Sequence, residues 1–115
     1  MSPKNNVNLL QGTLDLLVLK ALTLGPIHGY EVARWVRHTT SGTLEVDDGA
    51  LYTALHRLEK RGWVRSEWGV TEGNRRAKYY VLTRSGRKQM AAQADAWTRY
   101  ADAVSACLRA AEGGS

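Results

Sequence analysis

Asp47-Asp48-Gly49-Ala50-Leu51-Tyr52-Thr53-Ala54-Leu55-His56-Arg57-Leu58-Glu59-Lys60-Arg61-Gly62 is the stretch on which the reading of this chain turns. Leu51, Leu55 and Leu58 recur at i, i+4 and i+7, so they share one face of a helix. Asp47 or Asp48 can cap its start, because a short carboxylate accepts from the free amides of the first turn. Gly62 stands where a left-handed residue can end it. The opposite face carries Tyr52, Thr53, His56, Arg57 and Lys60, with Gly49 near the N-terminus. It is polar, aromatic and basic, with bulky groups towards the N-terminal half, where a helix in the major groove reads bases. An ordinary amphipathic surface helix shares this pattern, so the flanking sequence has to decide.

Downstream, Trp63–Trp68 and Ala77–Leu82 are rich in β-branched and aromatic residues and predict a β-hairpin. The polar loop 69–76 joins them, and Arg75, Arg76 and Lys78 lie at its tip. A lone hairpin is marginal in water, and Thr43–Val46 alternates, so it is expected to add a strand to the hairpin's edge. Upstream, His28-Gly29-Tyr30-Glu31 starts a helix reaching about Thr39, with Tyr30, Ala33 and Val36 facing inward and Arg34, Arg37 and His38 outward. Helix, connector and second helix make a helix-turn-helix unit, and the basic hairpin beside it reads as a wing whose cations neutralise phosphates. His28 has no second His or Cys at ligand spacing, so a structural or capping role is favoured over metal binding.

The first and last helices share a different property. Asn8 and Gln11 form a capping box for a helix running to about Leu24, with Leu10, Leu14, Leu17, Ala21 and Leu24 on one face and Leu16, Val18, Leu19 and Leu22 apolar as well. A helix apolar all round needs cover on most sides. Gly25-Pro26 stops it. Thr83 caps the last helix, Arg84 to about Ala111, in which Met90, Ala94, Trp97, Ala101, Val104, Leu108 and Ala111 alternate in steps of four and three. That is the coiled-coil seam period. If the last helix of one subunit packs on the first helix of its partner, each deficiency answers the other. The expected dimer surface is therefore Leu10, Leu14 and Leu17 with Met90, Ala94, Trp97, Ala101, Val104 and Leu108. Trp97, one large ring among alanines, either fills the core between the helices or is the candidate wall of an apolar ligand pocket.

Composition agrees with one small domain. The chain has 115 residues, 43% hydrophobic, and a net charge of +5. Between Arg57 and Lys88 ten basic residues face three acidic ones, whereas the remainder holds six basic and eight acidic residues. A basic block confined to one third of a chain points to a polyanion. No run is long enough to span a membrane and no secretory signal is visible, so a cytoplasmic protein is expected. The single cysteine, Cys107, excludes an internal disulfide and fits a reducing compartment; an inert, partly buried thiol is favoured over a redox sensor. Catalytic pairs are not recognisable among His28, His38, His56, Asp15, Glu31 and Cys107, so no enzyme, catalytic residue, metal or cofactor is expected.

Several short runs, in this order and spacing, resemble the PadR-like family of bacterial transcriptional regulators. They are Leu10-Gln11-Gly12-Thr13-Leu14-Asp15, Gly25-Pro26-Ile27-His28-Gly29-Tyr30-Glu31, Gly49-Ala50-Leu51-Tyr52 with Leu55-His56-Arg57-Leu58-Glu59, and Asn74-Arg75-Arg76-Ala77-Lys78-Tyr79-Tyr80 followed by Leu82-Thr83 and Gly86. The single C-terminal helix is similar to the short form of that family. The resemblance implies a homodimeric winged-helix repressor that binds a palindromic operator and is often released by a small molecule. Thr53 departs from the pattern, since many relatives carry Pro after the Leu-Tyr pair.

The expected fold is thus mainly α with a small β-hairpin: a winged helix-turn-helix over residues 1–82 and a C-terminal dimerisation helix over 83–112, forming one compact unit. The expected partners are double-stranded DNA, a second copy of the chain and a small apolar or aromatic effector. Gly49, Tyr52, Thr53, His56, Arg57, Lys60, Arg75, Arg76 and Lys78 are the expected DNA contacts. A protein-interaction module without an effector is the alternative; it would account for the heptads but not for the basic wing.

Overall fold

The computed structural model describes residues 12–111. Its elements run α1 (Thr13–Leu22), β1 (Ile27–His28), α2 (Gly29–Thr39), α3 (Asp48–Lys60), β2 (Val64–Val70), β3 (Arg76–Leu82) and α4 (Arg84–Arg109). Four helices and a small antiparallel sheet of order β1-β3-β2 make a winged helix-turn-helix with an appended helix.

The core forms where α1, α2 and α3 meet the sheet. Val18, Leu19 and Leu22 from α1, Val32 from α2, and Leu51, Leu55 and Leu58 from α3 are fully buried, with Val64 and Leu82 closing the sheet side. Each such side chain contributes roughly 1.5–3 kcal/mol by leaving water. The leucine face of α3 is therefore the buried one, as its spacing predicts. Leu24, expected as the last residue on one apolar face of the first helix, lies beyond its end and is exposed. Asn8, Leu10 and Gln11 lie outside the described residues; α1 begins at Thr13, after Gly12 at φ 86.

The caps of α3 and the start of α4 follow the sequence closely. Asp47 accepts from the Ala50 amide at 3.0 Å, and Thr83 Oγ1 accepts from the Gly86 amide at 3.0 Å. At the far end of α3, Gly62 takes φ 79. Its amide bonds to the Glu59 carbonyl and that of Trp63 to the Leu58 carbonyl, the paired closure of a Schellman motif.

The sheet differs from expectation. Thr43–Val46 is not a strand; Ile27–His28 takes the edge of β3, pairing with Tyr80 and Tyr79. The reason is local. Ser41 and Gly42 have positive φ, and the Thr40 hydroxyl accepts from the Leu44 amide at 3.0 Å while donating to Val36. The Leu44 amide, which a ladder would use, is thereby spent on closing α2. The hairpin strands are also longer than predicted. Their loop shrinks to residues 71–75, where Asn74 at φ 62 and a Thr71–Arg75 amide-to-carbonyl bond form a three-residue turn. Tyr30, expected inward, is 60% exposed, and Val32 takes the core position beside Val36.

The root of α4 is wedged against the hairpin. A Cβ on Gly86 would come within 2.1 Å of the Trp63 carbonyl oxygen, so no other residue fits this approach. Met90 still packs against the core. Past the stretch that faces α1 the helix leaves the body: Val104 is 41% and Leu108 80% exposed. Cys107, expected to be partly buried, is exposed in the single chain.

Candidate nucleic-acid interface

With Leu51, Ala54, Leu55 and Leu58 committed to the core, helical geometry leaves Gly49, Tyr52, Thr53, His56 and Lys60 on the outside of α3, and all five are exposed. The Tyr52 ring leans on the first residue of α2: its atoms lie where a Gly29 Cβ would need to be. Glu59, on the flank of α3, accepts from the Ser66 hydroxyl at 2.6 Å and so ties the helix to β2. Arg57 departs from its expected place. Its Nε donates to Asp15 Oδ2 at 3.2 Å and its Nη2 to Oδ1. The guanidinium is turned to α1 rather than held out with His56 and Lys60. Hydrogen bonding to Asp15 holds its proton more firmly than usual.

The wing brings the other cations alongside. Strand alternation puts Arg76, Lys78, Tyr80 and Leu82 on the face of β3 that covers the core. Arg76 and Arg75 are exposed at the tip. The Arg76 guanidinium sits 4.6 Å from the Trp68 ring centroid and the Lys78 ammonium 5.7 Å from that of Tyr80. These contacts hold the charges on rigid aromatic faces. Between wing and helix lies a cleft of about 360 Å³ lined by Gly29, Tyr52, Arg75, Arg76 and Lys78, with Tyr80 at its base. Burial, then the nearby Glu59 and Tyr52, raise the Tyr80 phenol above its ordinary pKa.

His28 lies at the edge of this cleft. It occupies the N-cap position of α2 without a side-chain cap bond, pairs through its backbone with Tyr79, and sets its ring 5.7 Å from the Tyr79 ring, edge-on. Tyr30 stacks on it from the other side, with the Arg34 guanidinium 5.8 Å above the Tyr30 ring. This row was not legible in the sequence, because Tyr30 fits an inward pattern equally well.

Away from this surface, α1 and α4 enclose a second cleft of about 480 Å³ lined by Gly12, Thr13, Leu16, Gln93, Ala96, Trp97 and Tyr100. Trp97 thus faces the α1 of its own chain. Of the expected dimer residues, Leu14, Leu17, Met90, Ala94 and Ala101 are half-buried in the single chain, and Trp97, Val104 and Leu108 are exposed. Leu10 lies outside the described residues. Among those described, no helix is long and apolar enough to cross a membrane.

A helix-turn-helix with a solvent-facing polar and aromatic second helix, and a basic hairpin at its side, defines a winged-helix DNA-binding module. The chain belongs to the transcriptional regulator PadR-like family, whose family model matches residues 18–92. A transcriptional regulator from Clostridium thermocellum superposes with a TM-score of 0.74 at 29% identity, covering 83% of this chain and 89% of that one. A PadR family transcription regulator from Clostridium difficile gives 0.73 at 27% identity, covering 84% and 99%. In sequence, protein X of Lysinibacillus sphaericus is 24% identical over 98 residues, which are 84% of this chain and 89% of that protein. The protein is accordingly a transcriptional regulator that acts on DNA.

Proposed function

We propose that the protein is a homodimeric repressor that places α3 in the major groove of a palindromic operator and lays its wing along the flanking phosphates. Tyr52, Thr53, His56 and Lys60 face the bases, with Gly49 allowing close approach of the helix start. Arg75, Arg76 and Lys78 meet the backbone. The observation that carries this reading is the shared cleft: Tyr52, from the exposed face of α3, and three wing cations line one groove.

The dimer joins α4 of one subunit to α1 of its partner. In support, α4 leaves Trp97, Tyr100, Val104 and Leu108 uncovered in the single chain, and Trp97, Val104 and Leu108 are positions of the heptad seam. Planar aromatic effectors enter beside Trp97 and change the separation of the two recognition helices.

Selection of duplexes from a random pool, followed by a mobility shift at about 150 mM salt, tests the DNA reading. The expected product is an inverted repeat whose half-sites lie about 10 base pairs apart, or a multiple of that, centre to centre. Failure to enrich any sequence, together with affinity equal for all duplexes, would overturn it. Fluorescence titration with planar aromatic compounds tests the effector, with Trp97→Ala as control because Trp35, Trp63 and Trp68 also emit. Quenching that survives this substitution unchanged would move the ligand elsewhere.

A further inference from the structure

We infer that Asp15 is a positioning residue for operator discrimination, acting through Arg57 to fix the rotation of α3. This rests on the DNA-binding reading above. The buried side chains that the two helices give to the shared core are apolar: Val18, Leu19 and Leu22 from α1, Leu51, Leu55 and Leu58 from α3. Apolar burial is non-directional, so the leucine face decides which side of α3 is buried but resists small rotations about the helix axis only weakly. A guanidinium bonded through two nitrogens to both oxygens of one carboxylate is directional.

Asp15 and Arg57 make that pair across 42 residues of sequence. The Asp15 side chain is only 15% exposed, so water competes for it less than at an open surface. Arg57 adjoins His56 and lies one to two turns from Tyr52, Thr53 and Lys60 on the same helix. Whatever fixes its direction fixes theirs. Bidentate reading of a base edge tolerates little misalignment, whereas a phosphate contact tolerates more. Loss of the pair therefore removes preference between sequences before it removes affinity for DNA. Asp15 sits on α1, whose neighbouring residues Thr13 and Leu16 line the cleft beside Trp97. The same helix thus touches both the recognition helix and the far cleft.

The test uses Asp15→Asn, Arg57→Ala and the double variant in the full chain. The probes are the duplex recovered from the random pool with the wild-type protein and a scrambled duplex of equal composition. Asp15→Asn keeps the shape and removes the charge. The expected result is a loss of preference for the selected duplex of about tenfold in each single variant, with affinity for the scrambled duplex retained and the double variant no worse than either single one. A melting temperature that falls while the preference stays would overturn the proposal, leaving the pair a stability element. So would a loss seen with Arg57→Ala but not Asp15→Asn, which would make Arg57 a direct base reader. Additive losses in the double variant would also overturn it. A wild-type protein with no preference between the two duplexes would instead sink the DNA reading on which this rests.

Discussion

The ring of Tyr52 lies so close to Gly29 that a Cβ there would fall within 2.9 Å of it. The first turn of α2 is thus the seat for the most prominent side chain on the exposed face of α3. Gly29→Ala should push the ring aside, because the obstructing atoms are the far end of a rotatable side chain. Stability should change by less than about 1 kcal/mol. Affinity for the selected duplex should fall by about 1–3 kcal/mol, as it would for Tyr52→Ala. Binding isotherms for both variants check this, and wild-type affinity in Gly29→Ala would show that the seat of Tyr52 does not matter.

The wing should behave differently. Arg76→Ala and Lys78→Ala should each weaken binding to every duplex and lower the salt slope by about one unit. Trp68→Ala, which removes the ring under Arg76, should reproduce part of the Arg76 loss. Titrations at several salt concentrations provide the measurement. A defect limited to one base position would instead assign the wing to base reading, with Arg75 in the minor groove.

Gly86 separates fold from function. An added methyl would collide with backbone, the Trp63 carbonyl, and also with Leu82. The carbonyl cannot swing away, so Gly86→Ala should cost about 3 kcal/mol or more and lower the melting temperature by more than roughly 10 °C. Thermal unfolding followed by circular dichroism would report it. A change of a degree or two would mean that α4 can lift from the hairpin without consequence.

Tyr80 predicts an alkaline limit. Its folded-state pKa lies above the ordinary value of 10.0, so the folded protein holds this proton more tightly than the unfolded chain. That contribution is complete below about pH 10 and disappears as the pH rises through the raised folded value. Tyr80→Phe has no proton to lose there. Urea midpoints at about pH 8 and pH 10.5 should therefore differ more in the wild type than in Tyr80→Phe. Equal differences would assign the alkaline loss to other groups.

The core and the caps could be read from the chain because both are short-range. Leu51, Leu55 and Leu58 announce a face by spacing, and Asp47, Gly62 and Thr83 each act within a few residues of themselves. The sheet partner could not be read the same way. Thr43–Val46 has the alternation of a strand, yet a hydroxyl at Thr40 claims the Leu44 amide, and two residues after Pro26 pair with β3 instead. Only the path of the chain decides between them.

In the site, the polar face of α3 and the basic hairpin tip were legible as chemistry. The direction of Arg57 was not, because its partner lies 42 residues away. One signal pointed to it: Asp15 is an acid set in an apolar helix, and a covered carboxylate requires a cation or donors. Cys107 misled for a related reason. Apolar neighbours in sequence imply cover, but α4 has already left the body by that point.

The wedge at Gly86 gives α4 the mechanics of a lever. The flank of its first turn abuts the Trp63 carbonyl, and the Thr83 and Ser85 hydroxyls both donate to the Gly62 carbonyl, so the root is held and the helix responds to a push chiefly by tilting. Its 26 residues extend about 39 Å at 1.5 Å per residue. A tilt of about 5° at the base then carries the tip by about 3 Å, roughly the thickness of an aromatic ring. The cleft beside Trp97 lies midway along that arm, so the same tilt moves its α4 wall by about half as much. Small angular play at a fixed fulcrum becomes a large linear stroke at Leu108.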